Sequence, residues 1–357
     1  MTHSKYDLSP DEFPDERPVT YNDIARALGV SKMTVSLAMR NHPRISEATR
    51  QKVMNKAEEL GYRPDPALAA LHRYTHASRT PKIKATLGWL NTWKEPDGLF
   101  EHREFRLYFE GARDYANRMG YRLEEFRLND ISAERLETIF KTRNIQGLLL
   151  PPQRNPCEQI HRINWSELAV VRLGRSGVFP ETHFAASAQM QNTIMAFERV
   201  QQLGYKRIGF AGTFSYKQYF TAGYLWAQNP LPENERIPPL NIGSTQEDPE
   251  QLTKLNHWLE QMRPDAIITD SAELLDILKQ SGYQIPGDLG LATTSIHDTP
   301  IDAGIDQRPR TIGRAGARLL TAFIAERAFG LPEYCDETLI EGRWVNGTMM
   351  PPKTNTP

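Results

Sequence analysis

Hydroxyl-bearing and basic side chains are concentrated near the start of the chain, where they could bind anions. Between residues 18 and 84, twelve Lys/Arg face five Asp/Glu, a net charge of +7, and the whole chain carries −1, so the rest carries −8. Thr20, Ser31 and Ser46 each precede a helix-like run, and Asp23 stands in capping-box position after Thr20. Helix N-termini, Lys and Arg all bind phosphate oxygens. The pattern indicates a basic head that meets phosphates. A solvated charged face is the alternative explanation of the charge alone.

Three short runs with the apolar spacing of amphipathic helices follow those hydroxyls. Small Ala25, the turn residue Gly29 and branched Val35 would let the first two helices cross closely at a steep angle. The predicted core residues are Ile24, Ala25, Leu28, Val35, Ala38, Val53, Ala57 and Leu60. The residues therefore predict a helix-turn-helix headpiece over 18–63. An arbitrary three-helix bundle is the alternative.

From residue 82 onward, strand-like and helix-like runs alternate. The predicted strands are 83–90, 121–128, 147–150, 169–173, 207–211, 266–268 and 290–293, and the predicted helices are 104–119, 133–142, 191–203, 248–262, 272–281 and 313–329. This alternation predicts parallel sheets with helices on both faces, and it is too long for one doubly wound sheet. We therefore expect an α/β core of two lobes.

Other chemistries have no signature in the sequence. It contains no phosphate loop, HExxH, GxSxG or metal-spaced Cys/His cluster, so we expect no enzymatic activity, no metal and no cofactor. No apolar run reaches the length of about 18 residues that a transmembrane helix needs. The polar segment 1–17 reads as a disordered tail rather than a signal peptide. The two isolated cysteines, Cys157 and Cys335, suit a reducing cytoplasm.

The headpiece residues resemble a known family. The stretch from Thr20 to Tyr62, followed by Arg63-Pro64-Asp65-Pro66 and Leu71, resembles the LacI/GalR family of bacterial transcription regulators. The rest of the chain looks like that family's periplasmic-binding-protein-like core. The resemblance covers about residues 18–349 and implies a multidomain protein: an all-α helix-turn-helix headpiece, a hinge helix and a two-lobed core with parallel sheets.

The resemblance also implies which headpiece side chains meet DNA. The residues at its base-reading positions are Lys32, Met33, Leu37 and Arg44. The residues at its phosphate-facing positions are Thr20, Ser31, Thr34, Ser36, Ser46 and Thr49. Lys32 could donate to guanine, whereas Met33 and Leu37 could make only apolar contacts, for instance with a thymine methyl group. For each hydroxyl, a helix cap is the alternative role.

A short segment, 64–82, joins head and core. Asp65 followed by Pro66 has the chemistry of a helix start, and the run to Leu71 is too short to be a stable helix alone. The resemblance implies a hinge helix that forms when two copies pair over DNA, with Leu71 as the wedge in a minor-groove base step. A simple linker is the alternative.

The ligand site is predicted from strand ends, because ligands of open α/β lobes sit at the carboxyl ends of strands. This rule selects Asn91, Trp93, Arg175 and Asp270. Phe220 matches the position where many family members place an arginine for a sugar hydroxyl. These five residues are the predicted effector-binding residues.

The expected domains cover the whole chain. They are a tail (1–17), the headpiece (18–63), the hinge and linker (64–82), the effector-binding and dimerisation core (83–349) and a C-terminal tail (350–357). The expected first lobe comprises about 83–200 and 308–336, and the second about 201–306 and 337–349.

Together these features predict a cytoplasmic homodimer, or a higher assembly, that binds double-stranded operator DNA as a transcription regulator. Repression is the expected mode, and a small sugar-like effector would control it. A free-standing sugar-binding protein and an enzyme are the alternatives from other classes.

Overall fold

The computed structural model describes residues 19–39, 44–62, 85–153, 157–175, 179–213, 219–243 and 249–353. The chain forms two compact units, Met1–Thr80 and Pro81–Pro357. The predicted tail 1–17, the hinge segment 64–82 with Leu71, and residues 354–357 lie outside the described residues. No helix in the described part of the chain is long and apolar enough to span a membrane.

The described residues of the first unit form three helices. They are α1 (Tyr21–Leu28), α2 (Lys32–Met39) and α3 (Glu47–Glu59). Their fully buried core is small, and it consists of Ile24, Ala25, Val35, Ala38, Val53 and Ala57. The other predicted core residues, Leu28 and Leu60, pack against this core from half-buried positions. The amphipathic spacing in the sequence therefore identified the buried faces.

The boundaries of α1 follow from local chemistry. Thr20 is its N-cap residue and forms the predicted capping box, with the Thr20 N–H donating to Oδ2 of Asp23 at 2.9 Å. Gly29 ends the helix at φ +65°, in the left-handed region that an L side chain rarely adopts. The following Val30 N–H donates to the Ala25 carbonyl at 3.1 Å, so the chain turns at once into α2.

Two parallel sheets form the second unit. The strands are β1 (Ala85–Asn91), β2 (Tyr121–Arg127), β3 (Gly147–Leu150), β4 (Ala169–Leu173), β5 (Phe184–Ser187), β6 (Ile208–Gly212), β7 (Leu240–Asn241), β8 (Ala266–Thr269), β9 (Gly290–Thr293), β10 (Gly304–Asp306), β11 (Glu337–Ile340) and β12 (Arg343–Val345). The first sheet has the order β11-β5-β4-β3-β1-β2 and the second the order β12-β10-β9-β8-β6-β7. Among the described strands, every pair is parallel except β10–β12.

Helices cover both faces of each sheet. They are α4 (Gly98–Glu101), α5 (Arg103–Arg118), α6 (Ala133–Thr142), α7 (Gln189–Gln202), α8 (Tyr219–Gln228), α9 (Pro249–Met262), α10 (Leu274–Gln280) and α11 (Pro309–Glu326). Each sheet lies between two hydrophobic clusters, and central strands such as β3 and β9 are buried at every position. The predicted class, a helical headpiece followed by a two-lobed α/β core with parallel sheets, is confirmed.

The two long helices of the first lobe pack at close range. Gly111 of α5 lies against the backbone carbonyl of Arg310, and Gly313 of α11 lies against that of Tyr108. A Cβ atom at either glycine would collide with the opposing carbonyl oxygen. The α5–α11 contact therefore depends on this reciprocal pair of glycines.

The structure corrects the expected lobe boundaries at two places. Helix α7, which the sequence assigns mostly to the first lobe, buries Ala196, Phe197 and Val200 in a core of the second lobe. Strand β11, which the sequence assigns to the second lobe, pairs in parallel with β5 of the first sheet. Strand and helix patterns mark where elements begin and end, but which sheet an element joins depends on pairing between distant segments.

The chain crosses between the lobes three times. The crossings are residue 188 between β5 and α7, residues 307–308 between β10 and α11, and residues 341–342 between β11 and β12. Asn192, which is completely buried, joins the first and third crossings. Its Nδ2 donates to Ser187 Oγ at 2.8 Å, and its Oδ1 accepts from the Gly342 N–H at 2.8 Å. We call this arrangement the Asn192 tie.

Replacing Asn192 by alanine should destabilise the core strongly. Both bonds of the tie would be lost, and the buried Gly342 N–H would have no acceptor, which costs about 2–4 kcal/mol in the free energy of unfolding. Urea denaturation of the full chain would measure this. As a control, Asn241→Ala removes an exposed amide that bonds only to the nearby Gly243 N–H, and it should change stability by less than about 0.5 kcal/mol. Equal effects of the two substitutions would contradict the role of the tie.

Candidate DNA-recognition helix and ligand cleft

Three of the predicted base-reading side chains lie on helix α2, and they differ in how far they are exposed to solvent. Lys32 is exposed, Met33 is 70% exposed and Leu37 is half-buried. On the opposite side of the helix, Val35 and Ala38 are completely buried in the headpiece core. An exposed methionine beside a lysine is a surface that can contact base edges and methyl groups. The outer face of α2 therefore exposes Lys32 and Met33, which is a necessary but not a sufficient condition for base contact.

Four of the predicted phosphate-facing hydroxyls occur as two serine–threonine pairs at helix starts. Ser31 Oγ accepts from the Thr34 N–H at 3.0 Å and lies 2.8 Å from Thr34 Oγ1. Ser46 Oγ accepts from the Thr49 N–H at 3.3 Å and lies 2.9 Å from Thr49 Oγ1. Both serines are exposed. The alternative role of these residues, helix capping, is thus real, and each helix start keeps exposed polar groups for an anion.

The remaining headpiece residues have their own contacts. The Thr20 hydroxyl donates to Asp23 Oδ2 at 2.7 Å. Ser36 is half-buried in α2, and Arg44 is exposed just before α3. The predicted wedge Leu71 lies outside the described residues, so its role stays a prediction.

Between the two lobes of the core lies a cleft of about 320 Å³, which is within the range of small-molecule sites. It brings together three of the five predicted effector residues: Arg175, Phe220 and Asp270. We call it the ligand cleft. Its lining also includes Glu104, Phe105, Tyr108, Pro152, Gly174, Ala186, Ser187, Gln189, Thr213, Tyr219, Thr221, Thr294, Ser295 and Gln307. Of the three predicted residues, Arg175 and Asp270 were selected by the strand-end rule, and Phe220 was selected by the family resemblance.

Arg175 reaches the cleft with its charge already paired. Its Nη2 donates to Glu337 Oε2 at 2.7 Å. The guanidinium carbon lies 4.2 Å from the ring centroid of Tyr219, which is in the second lobe, and 5.0 Å from that of Phe184, in the first. Arg175 thus connects the two lobes through stacking as well as lining the cleft.

Asp270 follows β8 and lies against Gly212 at the end of β6. A Cβ at residue 212 would collide with Asp270 Oδ1, so the glycine makes room for the carboxylate. Oδ1 accepts from the Thr213 N–H at 2.8 Å. Burial raises the pKa of Asp270 to about 6, although hydrogen bonds from Thr213 oppose the rise. The hydrogen bonds therefore hold the carboxylate in place, and its burial costs part of the hydration of the charged form.

Glu104 is a cleft residue that the sequence analysis missed. Tyr108 Oη donates to its Oε1 at 2.9 Å, and Ser295 Oγ donates to its Oε2 at 3.0 Å. Burial raises the pKa of Glu104, with these two hydrogen bonds acting against the rise. Ser295 follows β9 and could have been found by the strand-end rule. Glu104 could not, because it lies in the first turn of α5.

The other two predicted effector residues support the wall of the cleft and are not part of its lining. Asn91 is completely buried, and its Nδ2 donates to the Pro96 carbonyl at 2.9 Å and to Glu125 Oε1 at 2.8 Å. Trp93 Nε1 donates to the carbonyl of Pro152 at 2.8 Å, and the ring of Trp93 contacts Phe105. A strand-end position therefore predicted their location along the sheet edge but not the direction of their side chains.

Asp298 caps a helix of the other lobe, next to the cleft residue Glu104. It lies in the second lobe, between β9 and β10, and accepts the Arg103 N–H at 2.7 Å and the Glu104 N–H at 3.0 Å. These are the first two residues of α5, whose own N-cap residue His102 makes no side-chain cap bond. A carboxylate at a helix N-terminus is stabilised by the helix dipole and by its free N–H groups. Asp298 therefore acts as a latch between the lobes.

Comparison with known proteins finds similarity to transcriptional regulators in both units. Residues 20–65 match the model of the lacI family of bacterial regulatory proteins. The HTH-type transcriptional regulator DegA of Bacillus subtilis is 52% identical over 52 residues, which is 15% of each chain. The HTH-type transcriptional regulator MalR of Streptococcus pneumoniae is 26% identical over 202 residues, 55% of this chain and 57% of MalR. Each match thus spans less than two thirds of the relative.

The fold of the whole chain is similar to that of solved regulators. The transcriptional regulator CelR in complex with cellobiose has a TM-score of 0.55 at 19% identity, covering 93% of this chain and 100% of that chain. This chain therefore shares its fold with that solved regulator. Over residues 20–65, the resemblance to the LacI/GalR family that the sequence indicates is confirmed by the family model.

Removing the Asp298 carboxylate should loosen the start of α5. In Asp298→Ala, hydrogen exchange of the Arg103 and Glu104 amides should become about 3- to 30-fold faster, because a lost cap costs about 0.5–2 kcal/mol. Exchange measured by mass spectrometry on peptides spanning 98–108 would test this. Asp288→Ala is the matched control, since Asp288 accepts the Gln284 N–H within one lobe. If α5 exchanges equally fast in both variants, Asp298 is not a latch.

Asp270→Asn should stabilise the ligand-free protein at neutral pH. The pKa of Asp270 is raised from 3.8 to about 6 on folding, so the native state holds a proton that the unfolded state has released, and stability falls as pH rises between these values. An uncharged amide avoids this loss, with a gain of about 1–3 kcal/mol at pH 7.5 that shrinks at pH 4.5. Urea denaturation at both pH values measures it. A gain that does not change with pH would rule out the ionisation of Asp270 as its cause.

Proposed function

We propose that the protein is a sequence-specific DNA-binding transcriptional regulator, acting as a repressor under the control of a small polar ligand. The observation that carries the proposal is the joining of a lacI-family helix-turn-helix unit, with an exposed base-reading face on α2, to a core with a ligand cleft. The relatives' names support regulation rather than catalysis, and we propose no enzymatic activity. Since its target would be the genome, we place it in the cytoplasm.

The proposed DNA contacts divide into two groups. Lys32, Met33, Leu37 and Arg44 read bases in the major groove, and Thr20, Ser31, Thr34, Ser36, Ser46 and Thr49 hold phosphates. Leu71, in the segment 64–82, opens a minor-groove step between two paired hinge helices. Two copies of the headpiece on one operator require a homodimer and a site with two related half-sites.

Control by a ligand requires two states of the core with different ligand affinities. The contacts that cross the cleft supply the structural difference: the Asp298 latch, the bond from Ser295 to Glu104, and the stacking of Arg175 on Tyr219. Each lies beside the cleft, so a ligand that strengthens or replaces them changes the angle between the lobes. The cleft lining is rich in hydroxyl and amide groups, which fits a polyhydroxylated, sugar-like ligand.

Selection of binding sites from random duplex DNA with the full chain tests the DNA-binding function. We expect an enriched site with two inverted half-sites, which also tests the homodimer. A selection that enriches no sequence would overturn the proposal, and enrichment of a single asymmetric site would overturn the dimer.

Changing two residues on α2 should change the preferred DNA sequence. Met33→Gln and Leu37→Arg together introduce donors that favour adenine and guanine, each worth about 1–3 kcal/mol of discrimination at its own position. The same selection, repeated with this variant, measures the shift. Tyr334→Gln, which alters an exposed side chain of the core, is the control and should leave the selected site unchanged. An unchanged site for the α2 variant would show that these side chains do not read bases.

A further inference from the structure

The ligand cleft contains an imbalance of charge. It is lined by two carboxyl groups, Asp270 and Glu104, and by one basic group, Arg175. Within the described part of the chain, neither carboxyl lies within ion-pair distance of a lysine, an arginine or a histidine, and the one cationic influence on Glu104 is the longer-range effect of His297, which lowers its pKa. The charge of Arg175 is already paired, because its guanidinium contacts Glu337 at 2.7 Å. Among the described residues that line the cleft, acidic groups therefore outnumber basic ones.

The two carboxyl groups differ in what they can still bind. Both oxygens of Glu104 accept hydroxyl donors, one from Tyr108 and one from Ser295. Asp270 is held by neutral donors, the backbone N–H of Thr213 and its hydroxyl. Among the described residues, no hydrogen bond from another side chain reaches Asp270 Oδ2. Asp270 is thus the carboxylate with capacity to bind a ligand group.

The position of Asp270 is built into the fold. Gly212 leaves the space that the carboxylate occupies, and β6 and β8, which pair directly, hold the two residues side by side. A carboxylate without a cation in a partly buried cleft lowers stability, as the raised pKa of this group indicates. A cationic ligand would offset that cost, whereas a neutral hydroxyl would leave the charge uncompensated.

The aromatic lining fits the same ligand. Phe105, Tyr108, Tyr219 and Phe220 all border the cleft, and Tyr219 already stacks on one cation, the Arg175 guanidinium. Aromatic faces attract ammonium groups as well as covering the apolar face of a sugar ring. The neutral polar groups of the lining, such as Gln189, Thr221 and Gln307, are suited to the ligand's hydroxyls.

We propose that the ligand of the cleft is a small polyhydroxylated amine, of the amino-sugar class, whose ammonium group binds the carboxylate of Asp270. The proposal rests on the proposed function only in taking the cleft as an effector site. Among the described lining residues, the one basic group, Arg175, is paired with Glu337, so we expect phosphorylated and carboxylated sugars to bind less well than the amine. The amine provides the cation that the described residues around Asp270 do not supply.

Calorimetric titration of the full chain with matched pairs of sugars tests this. The pairs are glucosamine and glucose, galactosamine and galactose, and mannosamine and mannose, with glucose 6-phosphate as the anionic probe. We expect at least one amine to bind 10-fold or more tightly than its parent sugar, and the phosphate not to bind. A charged hydrogen bond of the kind proposed accounts for a factor of this size.

Asp270→Asn should reduce that preference to threefold or less, because the amide keeps the size of the side chain and loses its charge. Asp288→Asn, at a distant turn of the same lobe, is the matched control and should preserve the preference. The proposal is overturned if no amine binds, if every amine equals its parent, if the phosphate binds more tightly, or if the preference survives Asp270→Asn. Should the Asn variant not fold, the comparison of amine with parent on the unaltered chain still decides.

The result of the sugar titration can be distinguished from a failure of the proposed DNA-binding function. Titration with sugars uses no DNA, and selection of DNA sites uses no ligand. A selected operator with no amine preference would refute only this inference. An amine preference without any selected DNA would refute only the proposed regulator function.

Discussion

The core of this protein depends on the hydrogen bonds of one buried amide. Asn192 holds the first and third crossings between the lobes together, through Ser187 on one side and Gly342 on the other. Three crossings would otherwise be three independent linkers, and the lobes could take many relative positions. Because the tie holds two crossings at one point, we expect any opening or closing of the lobes to pivot there. The carboxyl ends of the two parallel sheets then face each other, and the space between them is the ligand cleft.

Three contacts around the cleft join the two lobes. Asp298 caps α5 across the lobes, Ser295 donates to Glu104, and Tyr219 stacks on Arg175. Each contact exists only while the lobes are near each other. The carboxylate of Asp270, by contrast, is kept without a cationic partner among the described residues, at a cost in stability. Such a cost is typical of positions that are retained for binding rather than for folding. The cleft therefore combines contacts that favour closure with a charge that favours a ligand.

In the headpiece, the structure corresponds closely to the sequence pattern. Its helices begin at hydroxyl caps and α1 ends at a glycine, and the buried faces follow the amphipathic spacing. These are interactions between residues three or four positions apart, so the sequence pattern contains nearly all the information needed. For the same reason, the exposed position of Met33 could be predicted from the buried positions of Val35 and Ala38. The candidate site in the core was predicted only in part: Arg175, Phe220 and Asp270 line the cleft, Asn91 and Trp93 do not, and Glu104 was missed.

The sequence by itself determined the class of the fold, the headpiece with its capping residues, and some of the strand ends that border the cleft. These depend on local periodicity and on the general geometry of parallel sheets. Only the tertiary structure decided that β11 joins the first sheet, that α7 packs in the second lobe, that Glu337 pairs with Arg175, and that Asp298 caps α5. The partners in the last two contacts are 162 and about 195 residues apart in the chain. No local pattern records such pairs, because they are selected by which surfaces meet once both sheets have formed.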